Sequence, residues 1–157
     1  MTRQHTYATV VTWTGNQGTG TSGYRAYGRE HELTADGPPP IQGSSDPGFR
    51  GDPARWNPEQ LLLGALSQCH MLSYLHKCAV SGVVVTEYTD RAAGTMAETA
   101  DGGHFTEAVL RPEVTVAAPE MTEIALKLHE EAHAACFIAS SVNFPVRHEP
   151  VVRVAGD

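Results

Sequence analysis

Two cysteines, Cys69 and Cys136, stand 67 positions apart (136 − 69), each among small and apolar residues, and a pair of thiols is the simplest equipment for peroxide or disulfide chemistry. Free cysteine is also among the most buried residue types, so inert packing is the competing reading. To act as a nucleophile Cys69 has to be ionised, and in the middle of a helix it lies beyond reach of the positive helix end. The chain carries a net charge of −7, so a nearby guanidinium has to supply the stabilisation. Arg50 and Arg55, in the polar stretch before the helix, and Arg25 are candidates, and the residues alone leave the three open. Glu59 precedes Cys69 by ten residues. That is about 15 Å of helix rise, too far to touch the sulfur, yet suited to hold one side of an arginine whose other side faces it.

Two further patterns suggest other chemistry. His129-Glu130-Glu131-Ala132-His133 fits H-E-x-x-H, which in zinc hydrolases sets two imidazoles one turn apart beside a carboxylate. A catalytic zinc needs a third ligand, however, and this helix spends its apolar stripe at Leu128 and Ala132. The imidazoles are therefore expected on a solvated flank. The glycines Gly15, Gly18, Gly20 and Gly23 lead into a strand and not into a helix N-terminus, so they read as a hairpin turn and not as a phosphate loop. No G-x-S-x-G nucleophile elbow is present.

The elements that must position these groups follow from local pattern. Asn57-Pro58-Glu59-Gln60 supplies an N-cap acceptor, a proline at the first helical position, an acid at the positive end and Gln at N3. A helix is predicted from there to about Ser81-Gly82, apolar nearly all round in its first half, which points to burial by a second subunit. Before it, residues 6–15 read as a strand, Ser22–Ala35 as one or two more, and 36–56, rich in proline and glycine, as a long loop. After it, Val83–Tyr88, Thr95–Glu98, Phe105–Leu110 and Glu113–Val116 read as strands of a meander. Pro119 opens a second helix with Met121, Ile124, Leu128, Ala132 and Ala135 on its apolar side, and Val151–Val154 closes the chain as a strand. The order is that of an α+β protein.

Composition narrows the class. At 157 residues, one domain is the default. With 41% hydrophobic and 18% charged residues the chain is globular, and no apolar run approaches the ~18 residues that span a bilayer. Eleven basic against eighteen acidic residues leave no field for phosphates, so neither nucleic acid nor membrane is expected as partner. The first residues lack the apolar core of a secretory signal, which makes the cytoplasm the expected location, and three cysteines are too few for a disulfide scaffold.

Trp56-Asn57-Pro58-Glu59-Gln60-Leu61-Leu62 with Ala65-Leu66-Ser67-Gln68-Cys69-His70, and Ala135-Cys136-Phe137-Ile138-Ala139-Ser140-Ser141-Val142-Asn143-Phe144-Pro145-Val146, closely resemble the two cysteine motifs of the OsmC/Ohr family of thiol-dependent peroxidases. Gly18–Arg25 and Phe49–Pro53 look more like the OsmC side. The resemblance implies an intertwined homodimer of α+β fold, with antiparallel sheets wrapped around long central helices and active sites at the subunit interface. It implies Cys69 as peroxidatic cysteine, Cys136 as resolving cysteine and Glu59 as the acid that holds the family's arginine. Ohr proteins take that arginine from the first hairpin turn, where this chain has Asn16-Gln17; OsmC proteins take it from the loop before the helix, which favours Arg50, with Arg25 as alternative. It further implies an organic hydroperoxide substrate, an external dithiol as reductant, and no metal or flavin. His70 stands where many relatives carry an aromatic residue, and Cys78 has no assigned role. The other readings are a binding protein of the same fold and a zinc hydrolase at His129 and His133.

Overall fold

The computed structural model describes residues 1–156, and nine strands and two α-helices lie among them. They fall into two compact units, Met1–Leu61 and Leu62–Asp157.

In the first unit, β1 (Val10–Trp13), β2 (His31–Thr34) and β3 (Ile41–Gly43) form an antiparallel sheet in that order, with Trp13 opposite His31 and Leu33 opposite Ile41. The first strand is shorter than the predicted 6–15, and Ser22–Ala35 yields only β2. The reason is turn chemistry upstream. The Asn16 carboxamide oxygen accepts from the amides of Gly18 and Gly20 at 2.9 and 3.0 Å, and Gly18 adopts φ +113, which curls the chain before it can extend. The stretch expected to be all loop contains β3 and a 3-10 turn at Pro47–Phe49. It is tightly tied. Asp46 accepts from the Gly48 amide at 2.7 Å, the buried Ser44 hydroxyl accepts from the Asp52 amide at 3.0 Å, and Asp52 caps Ala54 at 2.8 Å. Arg50 ends the turn at φ +66, and is the single non-glycine residue in the left-handed region among the described residues.

Helix α1 (Pro58–Val80) begins where the sequence predicts. Asn57 and Gln60 exchange hydrogen bonds at 2.8 and 3.1 Å, a complete capping box. At its far end Gly82 takes φ +72 and the Val83 amide closes on the Cys78 carbonyl at 2.9 Å.

In the second unit the predicted meander is instead one long antiparallel hairpin broken in both limbs. β4 (Val85–Asp90) pairs with β7 (Pro112–Val116), and β5 (Ala93–Thr99) pairs with β6 (Gly102–Leu110). The break falls at Arg91 and Arg111, where Pro112 offers no amide to the ladder. Helix α2 (Thr122–Ala134) then carries the chain back to the sheets, where β8 (Val146–His148) joins β6 and β9 (Val151–Val154) joins β7, both in parallel. The fold is α+β as expected. The sheets are not purely antiparallel, however, because a helical crossover is the connection that allows parallel pairing. β8 was not foreseen.

The core of this unit is Tyr74 and Cys78 from α1, Val83, Val114 and Val116 from the strand region, and Ala125, Leu128 and Ala132 from α2. The buried stripe of α2 is Ala125, Leu128, His129 and Ala132, whereas Ile124 is exposed. That rotation of the helix corrects two expectations at once, since it takes Ile124 out of the core and draws His129 off the solvated flank.

Candidate active site

The face of α1 that carries Cys69 also carries Ala65, Gln68, Leu72, Ser73 and His76, the three- and four-residue spacing of one helical stripe. Together with Phe137 and Ile138 these residues line an open cavity of about 530 Å³. Its walls are mostly apolar, and half-buried Cys69 is its one cysteine.

Cys136 arrives from the other helix. Two residues beyond the end of α2, its amide donates to the His133 carbonyl at 3.2 Å, while its sulfur accepts from the Ala139 amide at 3.5 Å. The thiol is fully buried and neighbours Cys69. Burial first, and then the Cys69 contact, push it up to about 11. Both are free thiols, and Cys69 is near enough to Cys136 to add to that rise. Cys78, by contrast, lies fully buried against the Tyr74 hydroxyl, with burial pushing its thiol up.

The remaining candidates differ in what holds them. Glu59 sits in the first turn of α1, and its Oε2 is buried without a hydrogen-bond partner. A carboxylate oxygen in that condition is costly unless a donor reaches it. Arg55 is engaged by Asp52 at 3.8 Å and by the Gln42 side chain at 3.0 Å. Arg50 and Arg25 are exposed, and neither guanidinium makes a hydrogen bond or ion pair among the described residues. No arginine or lysine is among the residues lining the Cys69 cavity. A smaller cavity of about 180 Å³ at Pro53, Ala54, Arg55, Trp56 and Gln60 contains no thiol.

The histidines of the H-E-x-x-H pattern do not behave as zinc ligands of an open cleft. His129 is fully buried, and its Nδ1 shares a hydrogen with the His70 Nε2 at 3.0 Å. Among the described residues no three His, Cys, Asp or Glu side chains group as a metal site. The His70–His129 pair was missed in the sequence because each partner looks ordinary alone and the two are 59 residues apart.

The family profile described as OsmC-like protein matches residues 51–150, which is most of the chain and includes both cysteine segments. The chain belongs to the OsmC-like family. Among solved structures, an OsmC-like protein of unknown function from Vibrio cholerae is 31% identical, with a TM-score of 0.84, covering 94% of this chain and 100% of its own. An organic hydroperoxide resistance protein from Elizabethkingia anophelis superposes with a TM-score of 0.70 at 18% identity, covering 98% and 99% of the two chains. An organic hydroperoxide resistance protein OsmC from Legionella pneumophila does so with 0.66 at 16% identity, covering 98% and 100%. The last two likenesses establish the fold. No curated protein matches the chain. Among the described residues no helix of this OsmC-like protein is long and apolar enough to cross a membrane.

Proposed function

We propose that this OsmC-like protein is a thiol peroxidase that reduces organic hydroperoxides. The observation that carries the reading is the Cys69–Cys136 contact: one thiol lies half-buried at the wall of an apolar cavity, and a second is held against it. The Cys69 thiolate attacks the distal peroxide oxygen, the O–O bond breaks, and the alkoxide leaves with a proton as an alcohol. Cys69 is then a sulfenic acid. The Cys136 thiol displaces its hydroxyl as water, forming the disulfide and shielding Cys69 from further oxidation. An external dithiol restores both thiols by exchange. The apolar walls favour an organic peroxide over hydrogen peroxide, because a hydrocarbon substituent buried there contributes about 0.8 kcal/mol per methylene.

Two features support an arginine and a second subunit as parts of the working enzyme. The unpartnered Oε2 of Glu59 suits a guanidinium, and Arg50 is the arginine whose loop is braced while its side chain is uncommitted. Its left-handed backbone costs about 1–2 kcal/mol, strain of the kind that accumulates at functional positions. Large apolar side chains stand exposed in each unit, Val11 at 65% in the first, and Leu72 at 61% and Phe137 at 79% in the second. A homodimer covers such surface. The fold and its reducing chemistry suit the cytoplasm.

Counting thiols before and after one equivalent of cumene hydroperoxide tests the reading. Loss of two thiols per chain is the expected result, and no loss ends the peroxidase proposal in favour of a binding protein. Elemental analysis of the purified protein addresses zinc separately.

A further inference from the structure

Away from the cavity, the opposite face of α1 presents His70 to α2, and four histidines gather there. The His70 and His129 rings are parallel, with centroids 5.3 Å apart, His148 lies 5.6 Å from His70, and His133 lies 5.2 Å from His148. The Tyr74 ring stacks on His129 at 3.8 Å. Whichever ring donates in the His70–His129 hydrogen bond, His70 Nδ1 and His129 Nε2 are left buried with no partner. Nothing in the proposed peroxide chemistry uses this cluster.

Its place in the chain couples it to the sulfurs. His70 directly follows Cys69 on α1, and His129 sits on the helix whose last residue, Ala134, is two short of Cys136. We propose that His70 and His129 are positioning residues for the Cys69–Cys136 couple: their shared hydrogen bond clasps α1 to α2 beside the two sulfurs, and protonation of both rings releases the clasp. The inference rests on the reading of those cysteines as a working couple.

The surroundings explain why protonation works against the clasp. From α1 the pair faces Tyr74, which is itself bonded to Cys78; from α2, His133; from β8, His148; and behind Tyr74, Tyr88 of β4 with Asp90 near it. Glu130 is engaged by His148 at 3.1 Å, and Lys77 and Glu131 bridge α1 and α2 at 3.5 Å on the exposed rim. No carboxylate therefore meets a proton placed on His70 or His129. Burial, with His148 and His133 adding to it, holds His70 down to about 4, and burial with His70 and His148 holds His129 down to about 3. With both rings protonated, two N–H groups face each other and the bond is lost.

The test is a redox equilibrium of the full chain with dithiothreitol and its oxidised form, with the Cys69–Cys136 disulfide fraction read by mass after thiol trapping. In this exchange two electrons pass from the protein sulfurs to oxidised dithiothreitol, which takes up two protons as it opens to the dithiol. The Cys136 thiol supplies one and, where Cys69 is the thiolate, solvent supplies the other; a variant without the histidine pair shares that dependence on pH, so its profile is the baseline. Relative to H70Q/H129Q, the wild type is expected to lose at least about tenfold in that constant between pH 7.0 and 3.0, while its helical circular dichroism is retained. H70Q/H129Q keeps amides able to bond across the gap but does not titrate, so its constant is expected to follow the Cys69 dependence alone. H129A is expected to lower the constant about fivefold at pH 7.0.

A wild-type profile parallel to that of H70Q/H129Q overturns the proposal. So does a fall that tracks loss of helix, since that is global unfolding. If the double variant does not fold, H129Q takes its place as the comparison. Failure to consume peroxide removes the proposed function and leaves these exchange constants to judge the clasp.

Discussion

The two faces of α1 each carry a cysteine and a histidine, and they have opposite fates. On one face Cys69 and His76 border an open cavity with Leu72 exposed; on the other, Leu66, His70, Tyr74 and Cys78 are sealed against the rest of the second unit. The residue types are the same. What separates them is the helical angle, with the nine positions from Cys69 to Cys78 turning one sulfur toward the cavity and the other into the core.

The largest effect is expected from the cavity face. Cys69→Ser should lower the peroxide-dependent rate by more than ~10³-fold, measured with cumene hydroperoxide and a dithiol, whereas Cys78→Ser should leave the rate unchanged. Comparable losses from both would mean that the two faces are not distinct. Cys136→Ser should make one turnover and then fail to cycle, taking up two or three equivalents in all as Cys69 gains two or three oxygens by mass. Sustained turnover of that variant would remove Cys136 from the resolving role.

The second effect belongs to the buried face. His70 and His129 have folded-state values of about 4 and about 3, below the ordinary 6.5. Because the unfolded chain binds protons more readily, the full stability is present above pH 6.5 and is lost as pH falls from 6.5 toward 4 and then 3. The loss should reach on the order of 3 kcal/mol for each ring by pH 4, read as a falling urea midpoint. H70Q/H129Q should flatten that slope, and a wild-type midpoint constant from pH 7 to 4 would contradict the burial of neutral rings.

How much of this was legible in the residues varies with how local the signal is. The α1 start was readable because Asn57 and Gln60 complete a capping box within four residues, and the two sulfurs announced themselves through their flanking motifs. The long hairpin was not, since Pro112 and Arg111 mark a break but do not say that β4 pairs with β7 while β5 pairs with β6. β8 was hidden because three residues after a proline carry no periodicity, and only the parallel edge of β6 makes Val146–His148 a strand. His129 was misplaced for the same reason: a polar residue inside a helix pattern reads as solvated unless its partner, 59 residues away, is known. The sequence motifs likewise single out Glu59 without its arginine, and the structure describes its Oε2 as buried and unpartnered.

Glu59 tests a third point, remote from both faces by ~15 Å of helix. Glu59→Ala should slow the peroxide step about tenfold, close to 1.4 kcal/mol, by loosening the guanidinium, and Arg50→Ala should match it. The double variant should be no slower than either single one if the two residues act as a unit. Additive losses would mean that they act separately, and a normal rate in Arg50→Ala with a loss in Arg25→Ala would move the role to Arg25.

The smallest effect returns to the sealed face and asks how local its polar contacts are. The Tyr74 hydroxyl donates to the Ala125 carbonyl at 3.0 Å, both residues being fully buried, while the ring itself stacks on His129. Tyr74→Phe keeps the ring and the stacking and removes only the donor. It should cost about 1 kcal/mol, seen as a lower urea midpoint, because the lost bond is neutral and buried. The peroxide rate and the pH dependence of the midpoint should stay as in the wild type, since the histidine pair retains its ring neighbour. A drop in rate without a drop in stability would mean that the hydroxyl communicates with Cys69 through the helix, and the two faces of α1 would then share more than a backbone.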